Sequence, residues 1–390
     1  MGNFIDYLEW RGDLSLDRDP FNEVDGLLMA CLSYVRLDGI VPGIGEGEIT
    51  VYEASEAFFR RYSAEELAKD RSFISDMPRI LEKAAETERF REVRLRNYVN
   101  EIDPAKELQF SALEAVLPDG TVYISIRGTD DTIVGWKEDF NISFKEVPAE
   151  KEAVRYLKEV CRDGTCPIRI GGHSKGGHLA VFAAALAPPA IRSRISAVYD
   201  YDGPGFDAPF LQKKSVKALD GIMHRFIPES SVVGILLKHR TPPVYIRSSE
   251  KGPLQHNAFS WQVLGTRFRT EKELSPGGKV FDDAINTWID EIDEKERQLF
   301  IDDFFSVLEA PGAETLTDLQ NGGIRTLQAM TKKLRELRPA TREKMEKLLK
   351  ILFQEWAGQA VTRAVNAAAA YEAAHGKFSL KRKKDEDKLQ

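Results

Sequence analysis

The stretch Ile168–His178 reads IRIGGHSKGGH. Its first residues predict a buried strand, its centre is a Gly-x-Ser-x-Gly turn around Ser174, and the apolar residues up to Leu186 predict a helix. A strand, such a turn and a helix in succession form a nucleophile elbow, which holds a serine on a strained turn. The positive end of the helix dipole there favours developing negative charge. The stretch therefore predicts an α/β sheet in which Ser174 is a nucleophile.

Two glycines of the turn carry part of this interpretation. Gly172 and Gly176 are the positions at which a side chain is expected to clash with the neighbouring strand and helix. The bare pattern also arises by chance, since glycine makes up about 7% of ordinary sequences. A glycine-rich turn without catalytic meaning is therefore the alternative.

Alternating strand and helix signals surround the turn. From residue 94 onward the hydrophobic period changes from helical to two, and later strands alternate with helices, which favours an α/β sheet with its active face at the carboxyl ends of the strands. We expect strands at 94–100, 108–117, 121–126, 168–171, 195–199, 222–227 and 244–247, and helices at 20–40, 55–95, 150–161, 175–186, 209–219, 279–292, 294–309, 313–337 and 340–374.

Composition limits the remaining possibilities. The 390 residues are 42% hydrophobic and 30% charged, enough for a full core and for two or three domains at most. A net charge of −7 argues against a general nucleic-acid binder. Three cysteines, no export signal and no apolar run of membrane-spanning length favour a cytoplasmic protein without stable membrane insertion. No metal site, phosphate loop or nucleotide fingerprint is apparent, so no cofactor is expected.

A base and an acid are expected downstream of the serine, in loops that follow later strands. Of the six histidines, His256 is the one in a loop after the last predicted strand, so it is the favoured general base. The alternatives are a structural turn histidine there, or His239 as the base. For the acid, Glu229 after the strand 222–227 is favoured, with Asp202 one strand earlier as its rival. Both could also be ordinary loop carboxylates.

An oxyanion hole needs two donors. One is expected to be the backbone N–H of Lys175, directly after the nucleophile. The other is expected from Thr129, which follows the strand 121–126 and offers both an N–H and an O–H. An ordinary capped turn is the alternative reading of Gly128-Thr129-Asp130.

These motifs resemble those of class 3 lipases. The Arg127-Gly128-Thr129 loop, Trp136 and Asp139 downstream of it, and the Gly-His-Ser-x-Gly-Gly turn are similar to the pattern of that family. An uncharacterised bacterial family of lipase-like proteins is more similar still. In it the opening residues 3–7, Gln255-His256 and Ser260-Trp261 also have counterparts, and the likeness spans about residues 1–265.

The resemblance implies an α/β-hydrolase fold, with Ser174 as nucleophile, His256 as base, and Thr129 and Lys175 as oxyanion donors. It also marks two departures. Class 3 lipases have an aspartate after the penultimate strand, where this chain has Glu229 or a serine, and they usually have an apolar residue at the position of Lys175. We expect a hydrolase domain over 1–270 with an N-terminal helical segment 1–93, a C-terminal helical region over 271–375, and a charged disordered tail over 376–390.

The favoured function is a serine ester hydrolase of the lipase or esterase type, acting on a small-molecule or lipid acyl ester. The apolar stretches 232–237 and 133–136 could line an acyl site or be ordinary core. The alternatives are a thioesterase, an amidase or a phospholipase with the same triad, and a catalytically inactive binding protein whose C-terminal helices contact a protein partner.

Overall fold

The computed structural model describes residues 2–67, 73–103, 108–129, 137, 142, 147–291, 294–313, 318–319, 323–338, 341–343 and 345. Four sequence predictions therefore lie wholly or mostly outside the described residues. They are the stretch 133–136, the positions of Trp136 and Asp139, the helix over 340–374 and the tail over 376–390.

Among the residues that the structure describes, a mixed nine-stranded sheet forms the centre of the molecule. The strands are Glu48–Thr50 (β1), Arg94–Asp103 (β2), Leu108–Val116 (β3), Val122–Ile126 (β4), Ile168–His173 (β5), Ile195–Tyr201 (β6), Met223–Pro228 (β7), Val244–Ile246 (β8), Val263–Leu264 (β9), Arg267–Phe268 (β10) and Thr270–Glu271 (β11). The order in the sheet is β1-β2-β3-β4-β5-β6-β7-β8-β11. The strands β1 to β4 pair antiparallel, β4 to β8 pair parallel, and β11 returns antiparallel to β8. Strands β9 and β10 form a separate small hairpin.

Helices flank the sheet on both faces, as predicted for an α/β protein. They are Phe4–Arg11 (α1), Glu23–Leu32 (α2), Val51–Arg61 (α3), Ala64–Leu67 (α4), Pro78–Ala85 (α5), Pro148–Cys161 (α6), Lys175–Leu186 (α7), Pro189–Arg192 (α8), Ala208–Leu211 (α9), Lys214–Lys217 (α10), Pro276–Glu291 (α11), Glu294–Glu309 (α12) and Gly323–Glu336 (α13). Short 3-10 helices occur at Phe73–Asp76, Gly252–His256 and Ala258–Ser260.

Side chains of β4 point alternately to the two faces of the sheet, and each face packs against a different hydrophobic core. Tyr123 and Ser125 face the N-terminal helical layer, where their hydroxyls donate to the carbonyls of Gly26 at 2.9 Å and Met29 at 2.7 Å. Ile124 and Ile126 face the opposite side and pack with α6 and α7. The sheet is therefore buried on both faces around the nucleophile strand, as expected for parallel strands.

Several element boundaries differ from the sequence prediction. The helix expected over 209–219 is two short helices, because Lys213 between them has an extended backbone with ψ of 136°. The helical segment expected over 55–95 is divided among α3, α4 and α5 and ends before β2 begins at Arg94. Strand β1 and the β9–β10 hairpin were not anticipated. Each has only two or three residues, too few for a period to be visible.

The C-terminal helices build a third core on the loop that follows β7. Val232, Val233, Ile235 and Leu236 of that loop are buried against side chains of α11, α12 and α13. The apolar stretch 232–237, suggested as a possible acyl-site wall, is thus ordinary core at these four positions. No helix among the described residues is long and apolar enough to cross a membrane.

Candidate active site

Ser174 lies on a strained turn between β5 and α7. Its φ is 59° and its ψ is −135°, a combination that side-chain-bearing residues seldom adopt and that requires support from the surrounding structure. A Cβ at Gly172 would lie 2.3 Å from the Gly176 carbonyl carbon, and a Cβ at Gly176 would lie 2.1 Å from the Ile126 carbonyl oxygen. The two glycines therefore allow the turn, the first helical turn and the end of β4 to approach closely, as the sequence predicts.

His256 connects the serine to a carboxylate. It ends the short helix Gly252–His256, and its Nε2 lies 2.9 Å from the Ser174 Oγ. Its Nδ1 lies 2.7 Å from Oδ2 of Asp202. All three side chains are at most 5% exposed. This arrangement allows the imidazole to take a proton from the serine while the carboxylate fixes its tautomer.

The carboxylate that reaches His256 is Asp202, and not Glu229, which the sequence interpretation favoured. Asp202 follows β6, the direct neighbour of β5, whereas Glu229 follows β7, one strand farther from the nucleophile. The backbone N–H of Glu229 donates to the Ile246 carbonyl, and the Glu229 carbonyl accepts from the Ser275 N–H. The order of strands in space, which spacing along the chain does not reveal, determines which of the two carboxylates reaches His256.

The loop after β7 holds the second oxygen of Asp202. The Ser231 hydroxyl and the Gly234 N–H both donate to Oδ1, the latter at 3.1 Å. Hydrogen bonds of this kind orient a carboxylate. Ser231 is a functional candidate that the sequence motifs do not identify, although a serine pair directly after a strand end is a visible signal. These contacts free Oδ2 to face the imidazole.

His173, next to the nucleophile, fixes the backbone of the base. Its Nε2 lies 2.8 Å from the His256 carbonyl oxygen, so this nitrogen is the donor, and its Nδ1 lies 3.2 Å from the Tyr34 hydroxyl. Burial, together with the charge of His256, holds the pKa of His173 well below its usual value. A neutral His173 therefore anchors the His256 loop.

The two predicted oxyanion residues flank the nucleophile. A Cβ at Gly128 would lie 2.4 Å from the His173 carbonyl oxygen and 3.1 Å from the Ser174 Cβ, so the loop that leads to Thr129 passes directly beside the serine. Thr129 and Lys175 are both 2% exposed. The close contact of Gly176 with the end of β4 brings the amino end of α7 against the same loop. The two segments that carry the predicted oxyanion donors therefore lie together beside Ser174.

Asp200, a second buried carboxylate, lies two residues before Asp202. Asp200 accepts from the Gly203 N–H at 2.8 Å, and its Oδ2 lies 3.8 Å from the Arg225 Nε. Burial raises the pKa of Asp200 to about 7, against the lowering effect of Arg225. Nearby, His178 bonds Glu150 at 3.0 Å and the Pro204 and Gly205 carbonyls at 3.1 Å. These contacts hold the segment that follows Asp202.

The chain is thus an α/β protein in which a serine, a histidine and an aspartate are joined by successive hydrogen bonds. These residues lie at the carboxyl ends of parallel strands.

Residues 84–306 match the family model described as Mbeg1-like, which is 223 of the 390 residues. The chain belongs to the Mbeg1-like family. A solved structure, the crystal structure of M37 lipase, is 19% identical over 45% of this chain and 70% of that chain, with a TM-score of 0.31. No curated protein matches the chain significantly.

Proposed function

We propose that this protein is a serine ester hydrolase of the lipase or esterase type with an α/β-hydrolase fold. The observation that carries the proposal is the continuous contact from Ser174 through His256 to Asp202, at 2.9 and 2.7 Å. Membership of the Mbeg1-like family, a lipase-like family, supports it. The strained backbone of Ser174 adds support, because such strain is concentrated at functional sites.

In the acylation step, the Ser174 Oγ attacks the ester carbonyl carbon while His256 Nε2 takes the hydroxyl proton. The negative charge that forms on the carbonyl oxygen is stabilised by the N–H groups of Thr129 and Lys175. The tetrahedral intermediate then collapses, the alcohol oxygen leaves with the proton from His256, and the acyl group remains on Ser174.

In the deacylation step, His256 takes a proton from water, whose oxygen attacks the acyl carbon. The second intermediate expels the Ser174 oxygen, which receives the proton back from Nε2. Throughout, ionised Asp202 accepts from Nδ1 and stabilises the imidazolium. The products are a carboxylic acid and an alcohol.

The test is hydrolysis of p-nitrophenyl esters from acetyl to palmitoyl by wild type, Ser174→Ala and His256→Ala. We expect turnover by wild type and a loss on the order of 10⁴-fold in each variant, because triad residues act as a unit. A thioesterase would turn over acyl thioesters in preference to these esters. Wild type that is as inert as Ser174→Ala towards both ester classes would contradict the proposal and favour a binding protein on a hydrolase scaffold.

A further inference from the structure

A cavity of about 380 Å³ lies at the same rim of the sheet as the nucleophile. It is enclosed by the N-terminal helical layer and by the ends of β2 and β3. Asn100 pairs with Ser111 across these strands, and the Arg127 N–H donates to the Ser111 carbonyl at 2.9 Å. Arg127 directly follows β4, so the cavity lies at the carboxyl end of that parallel strand, where ligands bind in α/β sheets.

Tyr34 connects the cavity to the nucleophile. Its side chain lines the cavity, and its hydroxyl donates to the His173 carbonyl at 3.1 Å. A Cβ at Gly128 would lie 2.2 Å from the Tyr34 hydroxyl and 3.1 Å from the Ser174 Cβ. The cavity wall and the nucleophile therefore border the same glycine.

The cavity is on the side of Ser174 that faces away from the general base. His256 contacts Asp202, which follows β6 on one side of the nucleophile strand β5, whereas the cavity lies beyond β4 on the other side. The alcohol must leave next to His256, because it takes its proton from that imidazole. An acyl part that extends away from His256 would lie on the side of Ser174 where the cavity lies.

Two arginines line this cavity. The Arg127 Nη2 donates to the Asn100 Oδ1 at 3.1 Å. The Asn100 amide donates in turn to both carboxylate oxygens of Asp38 at 3.1 Å, which fixes the orientation of the Asn100 side chain. Arg36 is exposed, with its guanidinium carbon 6.0 Å from the centre of the Tyr62 ring. Among the described residues, no carboxylate lies within ion-pair distance of either guanidinium.

The remaining walls combine apolar and polar side chains in similar proportion. Val35, Phe58, Ile74 and Pro78 supply apolar surface. The carboxylate on the wall, that of Glu66, accepts from the Ser63 N–H at 2.8 Å and from its hydroxyl at 2.9 Å. Apolar surface beside oriented polar groups suits an amphipathic ligand, and guanidinium groups bind carboxylate and phosphate oxygens.

We propose that this cavity binds the acyl part of the substrate, and that the substrate is an amphipathic ester whose acyl chain carries an anionic group, a carboxylate or a phosphate, bound by Arg127 and Arg36. The proposal depends on the proposed hydrolase function only for the position of the ester bond. The anion site itself can be measured separately.

The kinetic test compares esters with the same leaving group. Mono-p-nitrophenyl glutarate and p-nitrophenyl pentanoate have five-carbon acyl chains that end in a carboxylate and a methyl group, and p-nitrophenyl 4-phosphonobutanoate carries the phosphate-like alternative. We expect wild type to favour one or both anionic esters in kcat/KM, and Arg127→Gln to lower the anionic-to-neutral ratio about tenfold, since it removes a charge-assisted contact. Arg36→Gln, at an exposed position, should lower it in the same direction. Arg162→Gln, exposed beyond α6, is the matched control and should leave the ratio unchanged.

A wild-type ratio near one, or the same ratio in Arg127→Gln and Arg162→Gln, would overturn the proposal. If wild type cleaves none of the esters, the proposed hydrolase function fails. Calorimetric titration of Ser174→Ala with the same esters then tests whether the cavity binds an anionic ester. Binding of an anionic ester that weakens about tenfold in Ser174→Ala/Arg127→Gln supports the anion site, since a charge-assisted contact is lost. Equal dissociation constants for the two proteins, or for charged and neutral esters, would overturn it.

Discussion

At the level of single residues, Asp202 is the proposed acid and Glu229 is the alternative. Asp202 has both carboxylate oxygens engaged, one by His256 and one by Ser231 and Gly234. Asp202→Asn should lower kcat/KM on the order of 10²-fold or more, since an amide cannot stabilise the imidazolium in the same way. Glu229→Gln is the matched control and should change it less than about threefold. The reverse order of the two losses in ester hydrolysis would contradict this assignment.

Gly176 provides a test of the elbow itself. A methyl group there would meet the Ile126 carbonyl oxygen at 2.1 Å, a backbone atom that cannot move alone. Gly176→Ala should lower the free energy of unfolding by about 2 kcal/mol or more, as overpacking does, and should also lower activity. At Gly164 the added methyl group would meet the end of the flexible Arg194 side chain at 2.9 Å. Gly164→Ala should therefore be close to wild type in urea unfolding, and equal losses in the two variants would refute the steric argument.

Residue types alone identify Ser174 and His256 as candidates, because the elbow pattern and the loop position narrow the choice. They leave the acid open. Asp202 and Glu229 both follow strands of the same direction, and only the pairing of β5 with β6 brings one of them next to the histidine. The contact of Tyr34 with His173 joins residues 139 positions apart, which no local pattern reveals.

At the scale of elements, the loop after β7 connects the C-terminal helices to the acid. Ser231 bonds Asp202, while its neighbours Val232 and Val233 are buried against the C-terminal helices. Ser231→Ala should lower kcat about tenfold through loss of a hydrogen bond to a charged group, and Ser231→Thr, which keeps the hydroxyl, should recover part of it.

The neighbouring serine is the control for this prediction. The Ser230 hydroxyl bonds the Ser275 hydroxyl at 2.7 Å instead of the acid. Ser230→Ala should therefore leave kcat within about twofold of wild type, although it removes a hydrogen bond from the same loop. If both alanine variants lose kcat equally, the loop acts through its general structure and not through Asp202.

Two long helices are predicted from the sequence to the residue, whereas the shortest strands of one hairpin are not predicted at all. The helix Glu294–Glu309 agrees with its prediction at both ends, and the nucleophile helix Lys175–Leu186 does as well. The two-residue strands of the β9–β10 hairpin have no period to detect. The break at Lys213 within the helix predicted over 209–219 depends on the local backbone, which periodicity alone cannot resolve.

At the scale of the whole molecule, Asp200 makes stability depend on pH. Burial raises its pKa from 3.8 to about 7, so the folded state keeps a proton that the unfolded chain releases. This contribution is fully present below about pH 4 and is lost as the pH rises towards 7. Between about pH 5 and 8 its loss amounts to about 2–3 kcal/mol.

Asp200→Asn removes this titration. The free energy of unfolding of the variant, relative to wild type, should rise by about 2–3 kcal/mol between about pH 5 and 8 in urea unfolding. Asp163→Asn, at a position whose side chain is 84% exposed, is the control and should show a constant difference from wild type. A constant difference for Asp200→Asn as well would show that burial does not hold its proton.

The domain boundary at residue 270 stays a prediction. The family match extends from residue 84 to residue 306 and so includes α11 and most of α12, while the N-terminal helical layer up to residue 83 lies outside it. The layer nevertheless supplies Tyr34 to the His173 contact. The proposed active site therefore includes residues that precede the matched region as well as residues within it.

Covalent labelling with a fluorophosphonate, followed by peptide mass spectrometry, tests whether Ser174 is an activated nucleophile. Only an activated serine reacts quickly with this probe. We expect a single adduct, on the peptide that contains Ser174, which is absent in Ser174→Ala and forms far more slowly in His256→Ala. No adduct on wild type, an adduct on another residue, or equal labelling of wild type and His256→Ala would contradict this expectation.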